Sequence, residues 1–73
     1  MNKARRKRVK EALDLIAEAK DILEEVKDEE HDSYDNLSEG LQNAENGEKM
    51  QENIDNLDTI IGYLEEADTL SEM

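Results

Sequence analysis

The sequence contains no cysteine, no proline, no tryptophan and no phenylalanine, and only two tyrosines, Tyr34 and Tyr63. Without cysteine it has neither disulfides nor thiolate metal sites, the commonest staples of a very small fold, and the compartment stays open on redox grounds. Long hydrophobic runs are also missing: none approaches the roughly 20 residues of a membrane span. The basic start is not followed by the apolar stretch of a signal peptide, so no membrane association and a cytoplasmic address are expected. Seventy-three residues allow one domain at most, with a thin core.

Charge is abundant and unevenly placed. Leu, Ile and Val number 15 of 73 beside a net charge of −12, a balance close to that of disordered segments, so patterning must decide whether the chain folds. Residues 1 to 10 hold Lys3, Arg5, Arg6, Lys7, Arg8 and Lys10 with no acid, while residues 11 to 73 set 21 acids against Lys20, Lys27 and Lys49, a net −18. A short cationic head precedes a strongly anionic body.

The apolar residues beat at helical spacing. Val9, Ile16 and Leu23 recur every seven residues, Ala12, Ala19 and Val26 form a companion row, and Leu13 and Ile22 widen the stripe. This predicts one amphipathic helix over about residues 2–30, capped by Asn2 and about 40 Å long. His31 to Gly47 breaks the rhythm with Ser33, Asn36, Ser38, Gly40, Asn43 and Asn46, predicting a bend over about 31–45. Within it Leu37 and Leu41 are expected to fold back as a plug, joined by Tyr34, through a single helical turn capped by Ser38.

A second stripe, Met50, Ile54, Leu57, Ile61 and Leu64, with Ile60 and Ala67 beside it and Leu70 and Met73 at its end, predicts a helix over about 46–71. Asn43 or Asn46 is its expected cap, with Glu45 and Glu48 suited to the positive helix start. Gly62 in mid-helix has two readings: close approach of another backbone, or tolerated drift. The fold class is therefore all-α, an antiparallel, coiled-coil-like two-helix hairpin whose helix-helix core is Val9, Leu13, Ile16, Leu23, Val26, Met50, Ile54, Leu57, Ile61 and Leu64. So thin a core calls for completion as a homodimeric four-helix bundle or against a partner. The antiparallel arrangement places the cationic head beside Glu65, Glu66, Asp68 and Glu72, so the head has a charge-neutralising role available within the molecule.

Little suggests catalysis. His31 stands alone in a charged segment without aromatic residues to wall a pocket, and no catalytic residue, cofactor or metal is assigned. Asp28, Glu30, Asp32 and Glu39 partly follow the calcium-loop spacing, but Ser33 occupies the position where the turn needs glycine, so a dedicated site is not expected. Arg5, Arg6 and Arg8 in the basic head suit phosphate contacts, yet no aromatic side chain interleaves with them and the body repels nucleic acid, so direct nucleic-acid binding is not expected. The carboxylates are more informative: −18 on a hairpin of about 40 Å is one charge per ~2 Å, near the one per ~1.7 Å of duplex DNA.

The start Met1-Asn2-Lys3-Ala4-Arg5-Arg6-Lys7, the bend Tyr34-Asp35-Asn36-Leu37-Ser38-Glu39-Gly40-Leu41-Gln42 and the re-entry Gly47-Glu48 resemble very short proteins of unknown function encoded by phages and prophages of Gram-positive and gut bacteria. The resemblance covers nearly the whole chain, though such proteins often carry proline where Ser38 stands here. It implies a protein partner in the bacterial host, such as the basic nucleic-acid-binding cleft of a defence or nucleic-acid enzyme, inhibited in an anti-CRISPR or anti-restriction manner. Glu24, Glu25, Asp28, Glu48, Glu52 and Asp55 would carry that contact. The other reading is an adaptor hairpin that oligomerises or tethers a partner without mimicry; a regulator using the basic head on DNA is a third.

Overall fold

In the computed structural model, which describes residues 1–70, the chain forms three helices and no strand among the described residues: α1 (Lys3–Asp35), α2 (Glu39–Gln42) and α3 (Glu45–Thr69). The two long helices pack against each other as an antiparallel hairpin measuring 58 × 14 × 14 Å between Cα atoms. The predicted end of the second helix at residue 71, and the roles expected of Glu72 and Met73, lie outside the described residues.

α1 begins as its sequence predicts. Asn2 is extended at the cap, and its Oδ1 accepts a hydrogen bond from the Arg5 amide at 2.8 Å, satisfying one of the four amides that a helix start leaves unpaired. The helix ends five residues beyond the expected boundary. The polar residues from His31 onward weaken helix propensity only modestly, and neither glycine nor proline interrupts them before Asn36, so the ladder continues. Thirty-three residues make α1 about 50 Å long rather than about 40 Å.

The bend is correspondingly short. Ser38 caps α2, its Oγ accepting from the Leu41 amide at 3.4 Å, and Gln42 Nε2 donates to the Tyr34 carbonyl at 3.1 Å. Tyr34 and Leu37 are half-buried, whereas Leu41, expected as part of the plug, faces solvent. A single helical turn presents only one side to the hairpin, and Leu37, just before it, already occupies that side. Neither Asn43 nor Asn46 caps α3. Ala44 holds that position without a side-chain hydrogen bond, because Asn43 is already committed as the residue that ends α2, just past Gln42, its amide donating to the Glu39 carbonyl.

The two mid-chain glycines of α3 differ in kind. A Cβ built on Gly47 would lie 2.6 Å from the carbonyl carbon of Gln42 and 2.6 Å from the carbonyl oxygen of Leu41, so the bend is threaded against a bare backbone. Around Gly62 there is nothing within 4 Å, which removes close approach as its reason. Gly62→Ala should therefore stabilise the protein by about 1 kcal/mol, raising the thermal midpoint by roughly 4–8 °C for a chain of this size. A circular dichroism melt checks this, and a lower midpoint would mean that an unseen neighbour occupies the site.

Candidate functional site

The partially and fully buried positions of each long helix follow an alternating three-four spacing, the signature of a coiled-coil seam. On α1 they include Val9, Leu13, Ile16, Lys20, Leu23, Lys27, Glu30 and Tyr34, and on α3 Gly47, Met50, Ile54, Leu57, Ile61, Leu64 and Asp68. Among the described residues only Ile54 and Ile61 of the apolar side chains are buried, at 5 % and 7 % exposure. Nine of the ten expected core residues fall in this seam. Val26, the tenth, does not: it is 41 % exposed, and Lys27 takes the inward place.

Lys27 and Lys20 explain that exchange. Lys27 Nζ pairs with Asp58 Oδ1, and Lys20 Nζ lies 3.7 Å from Glu65 Oε1. Each lysine lays its alkyl stem along the seam and carries its ammonium out to an acid on the opposite helix. The hydrogen bond that Lys27 donates to Asp58, with the nearby negative charges of Asp58, Asp28 and Glu24, holds the Lys27 ammonium above the ordinary lysine range despite the opposing effect of desolvation. A raised lysine pKa means that any stabilisation is complete at neutral pH and is lost only in alkali. Such solvent-facing pairs add little to stability, so their main effect is on alignment.

The residue numbers in both cross-helix pairs add to 85, and this register narrows the expected surroundings of the basic head: Glu65 pairs with Lys20 instead, while Asp68 stays beside the head. The counterpart of Lys10 would be position 75, beyond Thr69 where α3 ends, so residues 3–10 of α1 reach past the described part of α3. Among the described residues no cation of the head forms an ion pair with α3. Arg6 and Lys10 instead share a groove of about 470 Å³ with Val9, Leu13, Asp14 and Asp68.

The two flanks of the hairpin are chemically opposite. Residues of a helix lie about 100° apart, which puts Asp14, Asp21, Asp28 and Asp35, each seven from the next, in one row beside the lysine side of the α1 seam. Glu24 lies beside that row, and Glu48, Asp55, Asp58 and Glu65 answer it on the same flank of α3. All these carboxylates are exposed. Of the six acids singled out from the sequence, Glu24, Asp28, Glu48 and Asp55 share this face, whereas Glu25 and Glu52 project from the outer edges. Asp58 was missed, and Glu65 was assigned to the basic head instead of Lys20, because their roles depend on lysines that the hydrophobic pattern did not place in the seam. The −18 of residues 11–73 spread over 58 Å is one per roughly 3 Å, thinner than the sequence estimate and thinner than duplex DNA.

On the other flank, Ala12, Leu15, Ala19, Ile22 and Val26 form a second three-four stripe on α1, and Ile60, Tyr63, Ala67 and Leu70 form one on α3. Both stripes sit about a quarter turn from their own seam in the same rotational sense, and since the helices run in opposite directions, both come to the same side. The shared register also sets them level: Leu15 opposite Leu70, Ile22 opposite Tyr63. Leu15 is 65 % exposed and Tyr63 68 %, so this is an uncovered apolar face, continued at the start of α1 by Arg5 and Arg8.

Neither face has the features of a catalytic centre or metal cage. His31 is exposed near the end of α1, with Nδ1 3.0 Å from Asp35 Oδ2. The calcium-loop spacing does not form a loop: Asp28, Glu30 and Asp32 lie in α1, where alternate residues point to different sides, and Glu39 lies across the bend in α2. Among the described residues no group of three His, Cys, Asp or Glu side chains could hold a metal ion, and no helix is long and apolar enough to cross a membrane. No protein-family profile, curated protein or solved structure matches the chain.

Proposed function

We propose that this is a small, non-catalytic binding protein that presents its acidic face to the basic nucleic-acid-binding cleft of a protein partner and self-associates as a homodimeric four-helix bundle. The observation that carries the reading is the segregation of carboxylates: an aspartate row along α1 and four acids along α3, all exposed and all on one flank. The aspartate row of α1 and the unpaired Glu48 and Asp55 of α3, about 10 Å apart across the hairpin, suit a groove built for phosphates and favour association through steering, while Asp58 and Glu65 are partly neutralised by Lys27 and Lys20. The resemblance to short phage and prophage proteins makes a host defence or nucleic-acid enzyme the target class, and a bacterial cytoplasm the setting. The adaptor reading, in which the hairpin tethers a partner through apolar contact, draws on the opposite flank.

Capture from a bacterial lysate separates the two. Immobilised protein should retain nucleic-acid-binding proteins at about 50 mM salt and release them by about 200 mM, or on addition of duplex DNA as competitor. The triple variant Glu24→Lys, Asp28→Lys, Asp55→Lys, altered only at exposed positions of that face, should capture none of them. Retention that survives both salt and the triple substitution would reject mimicry in favour of the adaptor.

A further inference from the structure

We infer that the uncovered apolar face is closed by a second copy of this chain, related by a twofold axis that crosses α1 at Ala19, so that α1 packs antiparallel on α1. The inference deepens the self-association proposed above and rests on it. The first argument is the width of the apolar surface. The row Val9, Ile16, Leu23 has apolar neighbours on both sides, and the hairpin uses the side that carries Lys20 and Lys27, leaving the wholly apolar side open. A helix with two seams needs two partners.

Charge then selects the occupant. Read outward from Ala19, the exposed stripe of α1 runs through Leu15 and Ala12 to Arg8 and Arg5 in one direction, and through Ile22 and Val26 to Glu29 in the other. An antiparallel copy centred on Ala19 sets each arginine end against the other's glutamate end, twice, as isologous contacts demand. Residue 19 is also the midpoint of α1, which spans 3 to 35, so the two helices overlap along their full length and the cationic head of one copy lies over the far end of the other's α1. The carboxylate face of each copy then points outward, as far from its twin as the bundle allows, which limits the repulsion between two chains of charge −12.

The size is adequate. From Arg5 to Glu29 the stripe is about 36 Å long on α1, about 10 Å wide, and α3 doubles that width over about 21 Å of it, so each copy offers on the order of 600 Å², toward the lower end of the ~600–1,000 Å² per partner of standard stable interfaces. A partner presenting only an acidic or only an apolar surface would satisfy one part of this face and oppose the other.

The absence of native cysteine makes the test clean. Ala19→Cys should form an interchain disulfide under mild oxidation, while an equimolar mixture of wild-type and oxidised variant should show the linked band from the variant alone. Arg8→Glu should weaken the dimer about tenfold or more by sedimentation equilibrium, and Arg8→Glu with Glu29→Arg should recover it to within about threefold. A monomer at roughly 100 μM with native helix content would overturn both this inference and the self-association beneath it. A dimer in which Ala19→Cys does not link to itself, but does link to Ala67→Cys on a second chain, would keep self-association and overturn the axis: the copies would then stack α1 on α3. Failure of the charge swap to recover affinity would likewise overturn the Arg8–Glu29 alignment. None of these results depends on the acidic-face reading, which the lysate experiment tests alone.

Discussion

Gly47→Ala is expected to lower the thermal midpoint by more than about 10 °C, a cost of about 3 kcal/mol, although alanine is ordinarily the better helix former. The reason lies in what surrounds the added methyl. Its nearest neighbours are the main chain of Leu41 and Gln42, which cannot swing aside as a flexible side chain would. They are also fixed on their own account, since Gln42 donates back to the Tyr34 carbonyl and its amide bonds to the Ser38 carbonyl at 2.9 Å. Accommodating the methyl therefore means undocking α2 from α3 and losing the bend's polar contacts together. The comparison with Gly62→Ala is internal: the same substitution in the same helix should change sign between the two sites. Equal midpoints for Gly47→Ala and wild type would show that the bend does not pack as described.

Truncating Ile61 to alanine is the second large effect. Ile61 and Ile54 are the only buried apolar side chains of the described residues, so each carries an unusual share of a small core, and deleting buried carbons costs about 2–5 kcal/mol when the surroundings cannot collapse. A hairpin with so few buried groups has little stability in reserve. Ile61→Ala should unfold at a much lower urea concentration than wild type, whereas Leu41→Ala, removing an exposed side chain of similar size, should shift the midpoint by less than about 0.5 kcal/mol. Similar midpoints for the two variants would place the core elsewhere.

Much of this fold could be read from spacing alone. The sevenfold rows of Val9, Ile16 and Leu23 and of Met50, Leu57 and Leu64 identify two helices and their facing sides, and Asn2 and Ser38 cap where their side chains predict. The companion row could not be read the same way. A hydrophobic count prefers Ala12, Ala19 and Val26 over a row containing Lys20 and Lys27, yet the lysine row faces α3, because an alkyl stem can line a seam while its charge reaches an acid across it. That acid lies 31 residues from Lys27 and 45 from Lys20 and is invisible to any local pattern. The bend failed for a different reason: cap-forming residues permit a helix to stop without forcing it to, and only tertiary contacts decide which of several permissible ends is used. Of the acids chosen from sequence, helical phase alone would have separated Glu25 and Glu52 from the others, had the seam been placed correctly.

The repeat of the seam carries a liability. Because both long helices repeat every seven residues, a hairpin displaced by one repeat would still bring apolar rows together, with Lys20 beside Asp58 but Lys27 beside the neutral Gln51. Such a mis-threaded hairpin would surrender one ion pair and every contact made by the turn, and would gain a longer, looser connection. Correct alignment is thus enforced chiefly at the closed end of the molecule, where a few backbone groups act as a stop against sliding.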